Sequence, residues 1–87
     1  MLEDYLGELV VVDLASPFVC LGTLTAADEQ FLELCEADVH DLRDTKTSRE
    51  SYVAASQATG IKRNRACVLL RRAEVVAIAR LEDVVDE

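Results

Sequence analysis

Basic side chains are the first candidates for chemistry in this sequence. Lys62, Arg63 and Arg65 stand almost side by side, and Arg71 and Arg72 follow further on. Clustered cationic groups of this kind are what a phosphate backbone requires. The chain as a whole nevertheless carries a net charge of −8. It does not attract polyanions at long range, so any nucleic-acid site must be a local patch. The charge is also unevenly spread. Residues 1–42 hold ten Asp or Glu and no Lys or Arg, whereas residues 43–87 hold nine Lys or Arg against seven Asp or Glu. The plainer reading of the basic residues, and the favoured one, is that they offset the acidic half and keep the chain soluble.

A second group is Asp38, His40 and Asp41. Two carboxylates and an imidazole invite a metal or acid–base reading. No nucleophile or phosphate-binding loop accompanies them, and catalytic sites need several converging groups. A solvated cluster at a strand end is the favoured reading, and no enzyme activity or cofactor is expected. The cysteines, Cys20, Cys35 and Cys67, are odd in number and form no CxxC spacing. All three lie in apolar runs and read as small core hydrophobes. With His40 the only histidine, a zinc site lacks ligands. Reduced cysteines fit a cytoplasmic protein. No basic-then-apolar leader and no membrane-length apolar run is present, so neither a signal peptide nor a membrane partner is expected.

The elements that must position these residues follow from periodicity. Leu2, Tyr5 and Leu6 share a helical face, and Gly7 ends that short helix. Val-rich Leu9–Leu14 reads as a strand with Val10, Val12 and Leu14 on one face. Ala15-Ser16-Pro17 turns the chain into a second strand, Phe18–Thr25, with Phe18, Cys20 and Leu24 on one face. Gly22 inside it marks a sharp bend or a close backbone approach. A short turn over Ala26–Gln30 leads to a third strand from about Phe31 to Val39. The polar stretch that follows, about 41–65, is long for a hairpin connection and is expected to hold structure of its own. Thr47-Ser48-Arg49-Glu50 fits a capping box, and Gly60 fits a helix stop, which predicts a helix near 48–59. A strand extension through Tyr52 and Val53 competes with it. Ala66–Arg72 and Val75–Arg80 read as two further strands joined by a tight turn at Ala73-Glu74. The last seven residues, 81–87, read as a frayed acidic tail. Eighty-seven residues suffice for one domain with a marginal core, which association would reinforce.

A short helix, three meander strands, an insert and two short strands: this order resembles the Sm and Sm-like family. Val10, Val12, Leu14, Gly22, Leu24 and Asp28 stand at the spacings of its first motif, and Leu70, Arg71, Arg72, Val75 and Ile78 at those of its second. The second motif departs at Arg72, where the family has glycine. The resemblance implies a mainly β fold spanning 1–87 as a single domain. That fold is a small five-stranded, strongly bent antiparallel Sm-like barrel of SH3-like type, with a short N-terminal helix and a short helix in the insert. The family reads uridine- or adenine-rich RNA around the pore of a ring. An Asn bonds the base, an aromatic or His stacks on it and the arginine of the second motif supports it. Carried over, Arg71 matches the family arginine and Asp28 the aspartate that orders the loop. The Asn position falls on Leu32 in an ungapped register, which would bury Glu33 beside Phe31 and Cys35 at high cost. Removing one loop residue turns Leu32 and Leu34 inward and places Phe31 there. The second register is preferred, and in neither is there an Asn.

The candidate RNA-binding residues are therefore Arg71, Phe31, Asp28 and Arg72, with Arg63 and Arg65 of the insert. For Phe31 the competing reading is an apolar residue closing the barrel end. For Arg71 and Arg72 it is ion pairing with Asp28 or Glu74. Val11, Val19 and Leu21 form an apolar outer face that needs covering, by Tyr52, Val53 and Ala55 of the insert or by a neighbouring subunit. Apolar strands Cys67–Leu70 and Val75–Ala79 carry no Pro or inward Lys to guard an edge, which favours closure into a ring of identical subunits. Two functional classes remain open. One is a ring holding single-stranded RNA. The other is a homo-oligomeric scaffold that binds other proteins and no RNA.

Overall fold

The structure, a computed structural model, describes residues 1–44 and 47–85. Five strands form one antiparallel sheet: β1 (Leu9–Leu14), β2 (Phe18–Ala27), β3 (Phe31–Asp41), β4 (Arg65–Arg71) and β5 (Val75–Arg80). Their order is β4-β3-β2-β1-β5, so β4 and β5 are opposite edges of the sheet. They do not form a hairpin with each other. The connection between them is a 3₁₀ turn over Arg72–Glu74 in place of the tight two-residue turn, and it carries the chain from one edge to the other.

The sheet bends at Gly22. Leu21 pairs with Asp38 and Thr23 with Cys35, so Glu36 and Ala37 together face the single residue Gly22. This bulge lets β3 turn sharply. Glu36 takes a positive φ of 50° there. A Cβ on Gly22 would lie 3.0 Å from the Ala37 Cβ and 3.1 Å from the Cys35 carbonyl oxygen, so the bend requires a residue without a side chain. A second irregularity, around Thr25, shifts the register again before β2 ends.

Each face of the bent sheet carries its own core. Val10, Val12, Cys20, Leu24, Leu32, Leu34, Ala37 and Leu70 fill the concave side, with Leu2, Tyr5, Val75 and Ile78 packed against them. Leu32 and Leu34 thus point inward and Glu33 outward, as in the register with one loop residue removed. On the other side Val11, Val19 and Leu21 are buried by Val53 and by Leu81. Val53 belongs to helix α1 (Arg49–Thr59), which occupies the insert. Its N-cap is Ser48, whose hydroxyl accepts from the Ser51 amide; the capping residue is one later than the expected Thr47. Gly60 ends the helix with φ 95°. Ala55, expected to help cover the sheet, is exposed.

Three local expectations are corrected by packing. The N-terminal helix is a single 3₁₀ turn over Leu2–Tyr5, and Leu6 turns outward, 46% exposed. Arg80 holds this turn with its guanidinium 4.4 Å over the Tyr5 ring and a bond to the Asp4 carbonyl. The C-terminal segment is not frayed over 81–85: Leu81 is buried, and the Gln57 amide donates to the carbonyls of Leu81 (2.9 Å) and Val84 (3.0 Å). Asp86 and Glu87 lie outside the described residues. The cysteine reading holds for Cys20 alone, which is buried and free; its burial, and then the charge of Asp38, pushes the thiol up to about 12. Cys35 and Cys67 are joined by a disulfide between β3 and β4, because the register places them directly opposite each other. The expectation of three unpaired thiols, and the reducing compartment inferred from it, loses that support. No helix among the described residues is long and apolar enough to cross a membrane.

Because the bend rests on Gly22, Gly22→Ala is expected to destabilise the fold by about 1–3 kcal/mol through overpacking against Ala37. Urea denaturation measures this directly, and an unchanged midpoint would show that β3 can shift away at no cost.

Candidate functional site

The β2–β3 loop and the β4–β5 turn meet at one end of the barrel. Asp28 builds the first loop: its Oδ1 accepts from the amides of Gln30 (2.8 Å) and Phe31 (2.7 Å), while its own amide donates to the Phe31 carbonyl. Short side chains that bond their own downstream backbone in this way stabilise tight turns. Those two amides, and to a smaller degree the charge of Arg72, hold the Asp28 carboxyl below the usual carboxylate range.

Arg72 joins the two loops. Its amide donates to the Gln30 carbonyl (2.8 Å), and its guanidinium donates to the Asp28 carbonyl. It does this without positive φ; among the described non-glycine residues only Glu36 has that conformation. The turn opens as a 3₁₀ segment and tolerates a side chain where the resemblance calls for glycine. Neither Arg71 nor Arg72 forms an ion pair with Asp28 or Glu74 among the described residues; the Arg72 guanidinium is spent on the Asp28 carbonyl.

Phe31 and Arg71 are register partners at the end of the β3–β4 pair. Both side chains leave the outer face of the sheet, Phe31 half-buried and Arg71 exposed. They line a cleft of about 280 Å³ together with Glu29, Gln30 and Ala73. Gln30 is the residue missed by sequence reasoning. Its carboxamide offers the paired donor and acceptor that the missing Asn would have supplied. Its only sequence signal is its place between Asp28 and Phe31. Phe31 does not close the barrel interior, since Leu32 and Leu34 do that. It borders a second, shallower depression with Ala27, Glu33 and Leu69.

The remaining basic candidates lie elsewhere. Arg65 begins β4 and Arg71 ends it, a separation of about 20 Å at the usual strand rise. Arg63 is ion-paired with Glu36, and Arg65 donates to the Asn64 carbonyl. Asn64 itself is structural: its side-chain amide both donates to and accepts from the Val39 backbone at 3.0 Å, extending the β4 side of the sheet by one side chain. Asp38 and His40 are not a solvated cluster. Tyr52 of α1 donates to Asp38, and its ring stacks on His40 with centroids 3.9 Å apart. Burial, followed by the hydrogen bond to Asp38, raises the Tyr52 pKa, so the phenol stays protonated and serves as a helix-to-sheet anchor. Asp41 pairs with Arg43 through two bonds of 3.0 Å. Among the described residues no group of three His, Cys, Asp or Glu could hold a metal ion.

Asp28 has its depressed carboxyl only in the folded loop, so its contribution is present at neutral pH and is lost as the pH falls through the folded-state value. Amide protection at Gln30 and Phe31 is therefore expected to collapse on acidification below the usual carboxylate range, and to be absent at every pH in Asp28→Ala. Equal protection factors in the variant and the parent would show that the carboxylate does not order this loop.

No protein-family model matches the sequence, and no curated protein sequence matches it. Solved structures do. The Sm protein of Pyrococcus abyssii in complex with a uridine heptamer aligns with a TM-score of 0.62 and 19% identity, over 90% of this chain and 89% of that one. A chain of the NatC complex bound to CoA aligns with a TM-score of 0.59 and 23% identity, covering 90% of this chain and 80% of that chain. A chain of the NatC complex bound to Gag peptide and CoA gives 0.58 and 23%, covering 90% and 87%. With its order of elements, bent five-stranded sheet and single inserted helix, the chain has an Sm-like fold.

Proposed function

We propose that the chain assembles with copies of itself into a closed ring and holds single-stranded RNA at the cleft of Gln30, Phe31 and Arg71. The observation that carries this reading is the pairing of Phe31 with Arg71 beside the Gln30 carboxamide. Bases stack on aromatic and guanidinium planes and are read by paired donors and acceptors. A planar ring, a cation with no ion-pair partner among the described residues and an amide at one cleft supply all three. Asp28 and Arg72 act indirectly, by ordering the two loops. Arg63 and Arg65, at the far end of β4, lie outside this site. Similarity to an Sm protein solved with a uridine heptamer supports uridine-rich RNA as the first ligand to try.

Ring closure is supported by the two edges. Among the described residues β4 pairs only with β3 and β5 only with β1. Both edges carry exposed apolar side chains, Leu69 at 59% and Val76 at 70%. Unpaired, unguarded strands favour pairing with another chain, and identical subunits that join edge to edge in a closed cycle leave none exposed.

A second reading, a scaffold subunit that binds protein and no RNA, is favoured by the −8 charge and by the similarity to chains of the NatC complex. Fluorescence anisotropy with labelled oligouridine and oligoadenine separates the two. On the RNA reading Phe31→Ala and Arg71→Ala each weaken binding about tenfold or more, the scale of one stacked base. Affinity also falls with salt, and Arg63→Ala leaves it unchanged. Absence of binding, or an equal loss from Arg63→Ala, would favour the scaffold.

Native mass spectrometry tests assembly separately. The parent is expected as a closed oligomer, whereas Leu69→Lys with Val76→Lys is expected as a monomer, since edge lysines oppose strand pairing. A monomeric parent would end the ring reading.

A further inference from the structure

We infer that the Cys35–Cys67 disulfide is a thiol-exchange site whose redox state sets the order of edge strand β4. The two residues face each other across the β3–β4 pair, with a Cα separation of 3.9 Å. Their side chains lie on the outer face of the sheet, away from the residues that α1 contacts: the helix packs over Val11, Val19 and Leu21 of β1 and β2 and reaches β3 through Tyr52 at Asp38 and His40. Cys67 is exposed and Cys35 half-buried, so a small thiol has access to one sulfur.

β4 has little else to hold it. Leu70 is its one buried side chain and Val68 is half-buried, while Arg65, Ala66, Cys67, Leu69 and Arg71 are exposed. A strand paired on one side with few buried contacts belongs to the low-stability end of a fold, where opening is local. The disulfide joins residues at a sequence separation of 32 and closes a loop that includes the whole of α1. Cutting it frees β4 to fray without disturbing the β1–β2 centre of the sheet.

The chemistry is a balanced two-electron exchange with a small-molecule thiol of the glutathione class. Its thiolate attacks the exposed Cys67 Sγ, breaks the Sγ–Sγ bond and forms a mixed disulfide on Cys67. Cys35 leaves as the thiolate and takes a proton from solvent. The Thr25 hydroxyl lies 3.5 Å from the Cys35 Sγ and can turn from Glu33 to donate to the departing sulfur. A second thiolate attacks the sulfur that the first thiol contributed. It releases the Cys67 thiolate, which is protonated in turn, together with one oxidised small-molecule disulfide. Reoxidation by that same disulfide reverses both steps. Cys20 takes no part, since it is fully buried and its thiol stays protonated.

The inference stands whether or not the chain binds RNA, and it is made for β4 as an edge strand paired with β3 alone. The test uses the full chain equilibrated in glutathione buffers from oxidising to reducing. Maleimide mass labelling of the native protein counts accessible thiols, and amide hydrogen exchange reads the strands. In oxidising buffer no thiol should label natively, and one, Cys20, should label after denaturation. In reducing buffer two thiols should label natively. Amides 66–70 should then exchange about tenfold faster or more, with the β1 amides unchanged. Cys35→Ser with Cys67→Ser, or the corresponding alanine pair, should show the β4 exchange of the reduced state in every buffer. Three thiols after denaturation in all buffers would overturn the proposal, as would equal β4 exchange in both states. A rise in β1 exchange equal to that in β4 would overturn it too, by showing a disulfide that supports the fold globally.

Discussion

Gly22 is the position on which the rest of the molecule depends. At this point β2 gives up its side chain so that the β3 backbone, bulged at Glu36 and Ala37, can pass within 3.1 Å of where a Cβ would sit. That close approach is what bends the sheet. A flat sheet of five short strands would have one layer of apolar side chains against nothing. Bent at Gly22, the sheet folds over itself, and Val10, Val12, Leu24, Leu32 and Leu34 meet as one core. The bulge also shifts the β2–β3 register, from Leu21 opposite Asp38 to Thr23 opposite Cys35, while β4 follows β3 without a break: Cys35 with Cys67, Leu34 with Val68, Phe31 with Arg71.

The second consequence of the bend is an apolar back. Val11, Val19 and Leu21 alternate with the concave core residues, so the strands near the centre of the sheet are apolar on both faces. Such strands need a second layer. The chain supplies it from two directions, with Val53 of α1 and Leu81 of the C-terminal turn. Gln57 fastens one to the other through two carbonyls. Tyr52 anchors the helix by stacking on His40 and bonding Asp38. Residues that read in isolation as a solvated acid–histidine cluster are therefore the polar rim of a helix-to-sheet interface.

At the far end of the barrel the same register produces the cleft. Arg72 occupies a position where the resembling family has glycine, and it contributes something a glycine cannot: a guanidinium that reaches across to the Asp28 carbonyl and ties one loop to the other. The turn accommodates it by opening into a 3₁₀ segment, so no left-handed residue is required. With Arg72 committed to the backbone, Arg71 has no ion pair among the described residues and stands opposite Phe31. The division of labour between two adjacent arginines comes from strand alternation and from the turn that follows.

Local periodicity determined most of the elements. The alternation of Val10, Val12 and Leu14, the bend at Gly22, the helix within the insert and both bounds of β1 and β5 are legible in the chain, because each depends on neighbours within a few residues. The inward turn of Leu32 and Leu34 is legible too, since the alternative would bury Glu33. What the sequence could not show depends on residues far apart in it. The disulfide needs the β3–β4 register, which joins residues 32 apart in the sequence. Leu81 looks like part of an acidic tail until α1 provides a surface for it. Asn64 reads as a loop residue until the Val39 backbone lies beside it. Gln30 lines a cleft only where two loops meet. The separation of Arg63 and Arg65 from Arg71 follows from an extended strand that places its two ends about 20 Å apart. Side-chain type and spacing set the elements and their faces; only the tertiary pairing of β3 with β4, and the packing of α1 on the sheet, decided which side chains would meet.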